Sequence, residues 1–303
     1  MQLRSALNSA IELLTSERVP SPRMNAELLI MFTLDCDRAY LYAHPERELT
    51  ADEIARYDAA IARRAAGEPA QYITGHQEFW GMDLIVSPAV LIPRPETEHV
   101  VEEGLDLVRE WRGRPRPRES APENESPFVD TPILRIVDVG TGSGAIALAL
   151  ARELSAAEIH ATDISAAALE IARANAGRHD LSSSIQFHET DLLAGFPPQS
   201  FDFVLSNPPY VGSSEEDQVQ LEVRKFEPRN AVFAGPTGLE VIERLIPQAH
   251  DALRPGGWLI FEISGTIASG VRELLNNWEE VAVRDDLQGI PRVAIARSGS
   301  KKS

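Results

Sequence analysis

The chain has 303 residues, 43% of them hydrophobic and 25% charged, a composition that excludes a disordered, collagen-like or coiled-coil protein. Its 46 acidic and 29 basic residues give a net charge of −17, which disfavours nucleic acid and suits a small molecule or a basic protein partner. The longest apolar run, Ala145 to Ala151, is too short for a membrane helix, and we see no pattern of a secretory signal. Cys36 is a lone cysteine and cannot form an internal disulfide. The histidines lack the spacing of zinc ligands. We therefore expect a cytoplasmic enzyme with no membrane partner and no metal site.

Residues 1–75 have the pattern of a helical unit. Apolar residues recur at helical spacing in two segments, Leu3, Leu7, Ile11 and Leu14, then Met24, Leu28, Met31 and Phe32. Thr50 and Glu53 have the spacing of a capping box at the start of another helix, which Gly67 ends. Because no catalytic motif lies in this unit, it serves either for packing alone or for recognition of a partner.

Residues 76–110 are predicted to hold a hairpin and a connecting helix. The segments 77–80 and 83–86 flank Gly81-Met82, and a two-residue loop with glycine first is typical of a type II′ turn. Pro95 can begin a helix, which the apolar positions at 101, 105 and 108 continue.

The segment 111–131 breaks this pattern. Five prolines fall between Pro115 and Pro132, and an arginine cluster is followed by acidic residues. We expect a solvated, mobile linker. A binding role for its arginines is the alternative, which the neighbouring acids weaken.

Residues 132–303 alternate strands and helices. The predicted strands are 133–139, 158–162, 185–188, 201–206 and 258–263, and the helices between them are 143–154, 166–176, 239–253 and 267–275. The segments 281–284 and 292–296 can close the sheet as an antiparallel pair. This alternation predicts a doubly wound, mostly parallel α/β sheet with helices on both faces.

A glycine-rich loop follows the first of these strands, at Asp138 to Gly144. Glycines allow the backbone to approach a ligand and bring helix N–H groups to it, which indicates a nucleotide site. Gly140, Gly142 and Ala145 also satisfy the dinucleotide fingerprint of dehydrogenases. Asp163, at the end of the next strand, can accept hydrogen bonds from both hydroxyls of a ribose. Its alternative role is to cap the following helix.

Asp191-Leu192 follows the third strand of this half. The Asp191 carboxylate can accept a hydrogen bond from the exocyclic amine of adenine, and the Leu192 side chain can cover the adenine ring. A plain turn is an equally good interpretation of these two residues alone.

Asn207-Pro208-Pro209-Tyr210 lies just past the next strand, at the edge where open α/β sheets bind ligands. The Asn207 amide oxygen and the Pro208 carbonyl can accept hydrogen bonds from one planar NH₂ group, and Tyr210 can stack on that group. An amide or aryl NH₂ nitrogen is a poor nucleophile. Two acceptors would favour the positive charge that develops as it takes a methyl group, and would orient its lone pair.

These motifs together resemble the HemK/PrmC family, the glutamine methyltransferases of peptide chain release factors. The resemblance covers nearly the whole chain and rests on Gln71-Tyr72-Ile73-Thr74-Gly75, Phe79-Trp80-Gly81, Leu91-Ile92-Pro93-Arg94-Pro95-Glu96-Thr97-Glu98, the glycine loop, Asn207 to Tyr210, and Glu227-Pro228. The Asn-Pro-Pro-Tyr motif alone is shared with nucleic-acid amino-methyltransferases, whereas the segment from Leu91 to Glu98 is more specific to this family.

The resemblance implies a class I methyltransferase fold, a Rossmann-like sheet with an antiparallel last strand, preceded by a small helical domain that recognises the substrate. It also implies S-adenosylmethionine (SAM) as methyl donor and the glutamine of a release factor Gly-Gly-Gln motif as acceptor. The implied SAM-binding residues are Gly140, Thr141, Gly142, Ser143, Gly144, Asp163, Asp191, Leu192 and Asn207. The implied substrate-binding residues are Asn207, Pro208, Pro209 and Tyr210, with Asn207, Pro208 and Tyr210 catalytic.

Three other functions remain open on the sequence. A nucleic-acid exocyclic-amine methyltransferase would share Asn-Pro-Pro-Tyr, but the charge of −17 counts against it. A dehydrogenase rests only on the overlapping glycines. A non-catalytic binding module would be expected to lose Asp163 or Asn207, and both are present.

Overall fold

The computed structural model describes residues 1–112 and 133–299, so the predicted linker, apart from Trp111 and Arg112 at the end of a helix, lies outside the described residues. The helices are α1 (Leu3–Ser16), α2 (Pro22–Leu34), α3 (Arg38–Ala43), α4 (Ala51–Ala65), α5 (Ala70–Thr74), α6 (Glu98–Arg112), α7 (Ala145–Glu153), α8 (Ala166–Arg178), α9 (Leu221–Phe226), α10 (Arg229–Val232), α11 (Glu240–Ala252) and α12 (Ala268–Leu274). The strands are β1 (His76–Phe79), β2 (Met82–Ile85), β3 (Arg135–Val139), β4 (Glu158–Asp163), β5 (Ile185–Glu189), β6 (Phe201–Ser206), β7 (Val211–Gly212), β8 (Phe233–Gly235), β9 (Leu253–Glu262), β10 (Glu279–Asp285) and β11 (Pro291–Arg297).

Helices α1, α2 and α4 pack around one apolar core, which includes Leu14, Leu29 and Tyr57. The predicted capping box begins α4: the Thr50 hydroxyl accepts the N–H of Glu53, and the Glu53 carboxylate accepts the N–H of Thr50. On α2 the helical period is correct, but the predicted apolar face is largely at the surface. Residues such as Ala26, Leu29 and Ile30 fill the core instead, while Met24, Leu28 and Phe32 are exposed.

The predicted hairpin forms, but its predicted loop is wrong. Phe79 lies opposite Met82 in the antiparallel pair β1–β2, so the loop residues are Trp80 and Gly81. Both have positive φ, 54° and 66°, which is characteristic of a type I′ turn. The shift of one residue lets Met82 join Phe79 in the core, and the Glu98 carboxylate accepts the N–H of Trp80 at 2.8 Å.

A segment without regular structure connects β2 to a 3₁₀ turn at Pro95–Thr97, where α6 follows. Polar groups hold this segment near its middle and near its end. The Tyr72 hydroxyl donates to the carbonyl of Val90 at 2.6 Å, and the buried Glu227 carboxylate accepts the N–H of Ile92 and pairs with Arg94. The segment is thereby fixed across the carboxyl edge of the main sheet.

Within the described part of the chain, seven strands form the main sheet in the order β10-β11-β9-β6-β3-β4-β5. The strands from β9 to β5 are parallel, and β11 runs antiparallel to both β9 and β10, as the sequence predicts. The chain leaves β3 toward β4 on one side and returns to β6 on the other. This reversal opens a crevice at the carboxyl ends of β3 and β6, where ligands bind in open α/β sheets.

Helices cover both faces of the sheet. Side chains alternate between them, so that Leu205 of β6 packs on the side of α6 and α7, whereas Val204 packs on the side of α11 and α12. Burial on both faces explains why the parallel strands are nearly continuous apolar runs. Among residues 1–112 and 133–299, no helix has the length and apolar character needed to span a bilayer.

Candidate active site at the carboxyl edge of the sheet

The glycine loop joins β3 to α7. Gly140 and Gly142 have φ of 71° and 55°, in the left-handed region that glycine tolerates best, and a Cβ at either position would meet open space. The buried Asp138 carboxylate accepts the Thr141 hydroxyl at 2.6 Å and the N–H of Ala147 at 3.1 Å. Asp138 of β3 therefore holds the loop from the side of the sheet, and the other side of the loop faces a cavity.

Asp163 lies at the end of β4, beside this loop. Its carboxylate accepts the N–H of Gly142 and the N–H of Ser165, both at 2.9 Å. Burial raises the pKa of Asp163, although these backbone donors oppose that rise. The cap of α8 is instead the Ser165 hydroxyl, which accepts the N–H of Ala168, so the carboxylate remains available to the cavity.

Asp191 and Leu192 follow β5, at the same edge of the sheet. Leu192 has a φ of 54°, a left-handed conformation that is rare for a branched residue and turns the chain along the cavity wall. Asp191 forms an ion pair with Arg244 of α11. The sequence did not reveal Arg244, because the pairing joins positions that only the fold brings together.

All but one of the predicted donor-site residues meet in one cavity of about 540 Å³. Gly140, Thr141, Gly142, Ser143, Asp163, Asp191, Leu192 and Asn207 line it, and so do Ile164 and Arg244. Gly144 does not line this cavity. It is the N-cap residue of α7, and a Cβ at this position would come within 3.2 Å of the Leu148 side chain and 3.3 Å of the Ala172 side chain.

A smaller cavity of about 140 Å³ lies on the other side of Asn207. Pro208, Pro209, Tyr210 and Arg94 line it together with apolar residues of the segment before α9 and of α9 itself. Asn207 and Pro209 line both cavities, and so do Leu91 and Ala231. The Asn-Pro-Pro-Tyr motif thus forms part of the boundary between a larger and a smaller space, the arrangement needed for transfer of a group from one bound molecule to another.

Behind Asn207 the structure contains a polar network that the sequence did not reveal. The Asn207 side-chain NH₂ group donates to the Thr97 hydroxyl at 3.0 Å, and the Thr97 hydroxyl donates to Glu262 at 2.6 Å. The Tyr210 hydroxyl donates to the other oxygen of Glu262 at 2.8 Å. Thr97 and Glu262 are both buried. Burial raises the pKa of Tyr210 well above its usual value, so its hydroxyl keeps its proton.

Two known domain families match parts of this chain. The model of the PrmC N-terminal domain matches residues 5–75, and that of the methyltransferase small domain matches residues 128–225. The release factor glutamine methyltransferase of Koribacter versatilis (strain Ellin345) is 52% identical over 298 residues, 98% of this chain and 99% of that protein. The release factor glutamine methyltransferase of Xylella fastidiosa (strain 9a5c) is 39% identical over 291 residues, 95% of this chain and 98% of that protein.

Among solved structures, the hMettl16 catalytic domain in complex with a MAT2A 3′UTR hairpin matches with a TM-score of 0.52. It is 17% identical and aligns over 88% of this chain and 94% of that one, so the likeness concerns the fold alone. The predicted class I methyltransferase fold, with its antiparallel last strand and preceding helices, is confirmed. The extent and identity of the sequence matches show that the chain belongs to the family of release factor glutamine methyltransferases.

Proposed function

We propose that this chain transfers a methyl group from SAM to the side-chain amide nitrogen of the glutamine in a release factor Gly-Gly-Gln motif. The observation that carries the proposal is the position of Asn207 and Pro209, which line both the larger and the smaller cavity. The larger cavity would hold SAM and the smaller one the glutamine side chain. The reacting nitrogen and the methyl group would then meet beside Asn207.

The residues of the larger cavity fit SAM by their chemistry. Asp163 would accept the ribose hydroxyls, and the open backbone of Gly140 and Gly142 would lie against the ligand. Leu192 would cover the adenine, while the Asp191 oxygen not paired with Arg244 would accept its amine. Bound SAM would supply an electrophilic methyl group on a sulfonium sulfur. The exclusion of a dehydrogenase follows from family membership rather than from the glycine loop, which both classes share.

In the smaller cavity, the acceptor amide would be gripped by the Asn207 side-chain oxygen and the Pro208 carbonyl. Both groups accept hydrogen bonds, so they would bind the two N–H bonds of the glutamine amide and point its nitrogen lone pair at the methyl group. As the nitrogen–carbon bond forms and the sulfur–carbon bond breaks, positive charge develops on the nitrogen, and these acceptors stabilise it. The nitrogen then releases one proton. The Tyr210 ring would stack on the amide while its hydroxyl stays bonded to Glu262.

The helical unit would recognise the protein around the glutamine, and we keep the division into residues 1–75, 76–110, 111–131 and 132–303 as part of this proposal. Met24, Leu28 and Phe32 form an exposed apolar stripe on α2. A shallow cavity of about 650 Å³ beside it is lined by Leu28, Met31 and Phe32, and by the acids Asp35, Asp37, Glu78 and Asp83. Such an apolar and acidic surface suits a protein partner with basic residues.

The direct test is incubation of the enzyme with labelled SAM and a purified release factor, followed by mass mapping of the labelled residue. We expect one methyl group on the Gly-Gly-Gln glutamine, and none on a factor with alanine at that position. Methylation of another residue would contradict the proposal. Label appearing in added RNA or DNA instead would favour the nucleic-acid methyltransferase.

A further inference from the structure

We propose that Thr97 and Glu262 are positioning residues, which fix the end of the Asn207 side-chain amide that faces the acceptor. This inference rests on the proposed role of Asn207. It concerns a buried carboxylate and a buried hydroxyl that lie outside the Asn-Pro-Pro-Tyr motif and that no step of the methyl transfer described above uses.

The hydrogen bonds of this network run in one direction, from Asn207 toward Glu262. Each oxygen of the Glu262 carboxyl group accepts one hydroxyl, from Thr97 at 2.6 Å and from Tyr210 at 2.8 Å. A threonine hydroxyl carries a single proton, which is committed to Glu262. The Thr97 oxygen can therefore only accept from Asn207, and the contact at 3.0 Å must come from the asparagine NH₂ group.

The side-chain oxygen of Asn207 is on the opposite branch of the amide, so the same bond turns it away from Thr97. That oxygen is the group that would accept from the substrate NH₂. With the amide reversed, a donor would face the donor hydrogens of the glutamine, and the interaction would become repulsive. Because an asparagine amide is nearly symmetric in shape, packing alone discriminates poorly between the two orientations.

Glu262 is buried at the end of β9, and burial raises its pKa. The hydroxyls of Thr97 and Tyr210 oppose that rise without reversing it. Two further charged groups act on it at longer range, Glu96 raising and Arg292 lowering the pKa. In a buried chain of hydrogen bonds, the carboxylate also polarises Thr97 and Asn207 and makes the distal amide oxygen a better acceptor.

The network could instead serve only to fasten the segment before α6 to the sheet. The two roles differ in what Thr97→Val does, because valine keeps the shape of threonine and removes the hydroxyl. For a positioning role, Thr97→Val should lower kcat about tenfold or more and leave the SAM dissociation constant within about threefold. Thr97→Ser, which restores a hydroxyl, should stay within about threefold of wild-type kcat. Thr33→Val is the matched control, since it removes a buried hydroxyl bonded to a helix carbonyl far from the site.

Glu262→Gln provides a second variant that keeps the volume of the side chain. Its NH₂ group can face Thr97 and donate to the hydroxyl, which turns the hydroxyl proton toward Asn207 and favours the reversed amide. We expect kcat to fall by about threefold or more with SAM affinity again unchanged. If Thr97→Val does not fold, Glu262→Gln distinguishes the two roles by the same pair of measurements.

A comparison in the Asn207→Ala background separates positioning from a general structural effect. If Thr97 acts through Asn207, adding Thr97→Val to Asn207→Ala should change the residual single-turnover rate by less than about threefold. An undiminished effect of Thr97→Val in that background, or wild-type kcat for both Thr97→Val and Glu262→Gln, would overturn the inference. If Asn207→Ala itself keeps half of wild-type activity, the proposed role of Asn207 fails, and the positioning role fails with it.

Discussion

Replacing Asp163 with asparagine should weaken SAM binding by about 10- to 100-fold. The carboxylate already accepts the N–H groups of Gly142 and Ser165, each at 2.9 Å, and its remaining lone pairs face the cavity. A hydrogen bond to a charged group contributes about 1.5–3 kcal/mol, and about 1.4 kcal/mol corresponds to a tenfold change in affinity. An asparagine NH₂ group would also face one of the two backbone donors, so the glycine loop would lose part of its support.

Isothermal titration of SAM into the wild type and the variant measures this loss. Burial raises the pKa of Asp163, so the wild-type affinity should decrease as the pH is lowered through that raised pKa, whereas the affinity of the variant should change little. Glu189→Gln is a matched control, because Glu189 is exposed on the neighbouring strand in register with Asp163. A dissociation constant for Asp163→Asn within about threefold of wild type would refute the assignment of the ribose site.

Three further outcomes follow from the charges and the surface. The chain carries a net charge of −17, which should attract a basic release factor and speed their association. Catalytic efficiency on the intact factor should therefore fall several-fold as salt shortens the Debye length from about 10 Å at 0.1 M to about 3 Å at 1 M, and a flat salt profile would contradict this electrostatic attraction. Phe32→Ser should raise KM for the factor by about threefold or more without changing SAM affinity, whereas Leu13→Ser, at another exposed site, should not; equal KM values would place docking elsewhere. Burial raises the pKa of Asp138 from 3.8 to about 7, so only the folded chain holds this proton between about pH 4 and pH 7, and stability should fall as pH rises across that window. Asp138→Asn should flatten this decline in unfolding temperature; identical pH profiles would rule this out.

The sequence predicted the parallel sheet well because burial on both faces produces long apolar strands, and these strands alternate with helices. The sequence was less informative about the exact position of a turn and about which face of a helix is buried. The hairpin loop was placed on Gly81 and Met82, although burial of Met82 moves the turn to Trp80 and Gly81. On α2 the apolar stripe of Met24, Leu28 and Phe32 indicated a helix but could not reveal that Ala26, Leu29 and Ile30 on the other face fill the core instead.

The sequence likewise predicted only some of the residues of the site. Each residue predicted from a motif lies at the carboxyl end of a parallel strand or in the loop that follows it, so local pattern and topology suffice to bring these residues to one edge. The partners of those residues come from distant positions, and no local pattern pairs them. Thr97 and Glu262, for example, are 165 positions apart. A weak signal did exist in the sequence, since Glu262 is a charged residue that ends the apolar run from Trp258 to Phe261.

Transfer of the methyl group beside Asn207 is best tested by the single-turnover rate of Asn207→Ala on an intact release factor, with SAM binding measured in parallel. If Asn207 accepts from the reacting amide, the rate should fall by about 10²–10³, the usual loss for such a transition-state contact, while SAM affinity stays within about tenfold. Methylated factor formed at half the wild-type rate or more would contradict this role, because the boundary between the two cavities would then not be the place where the methyl group is transferred.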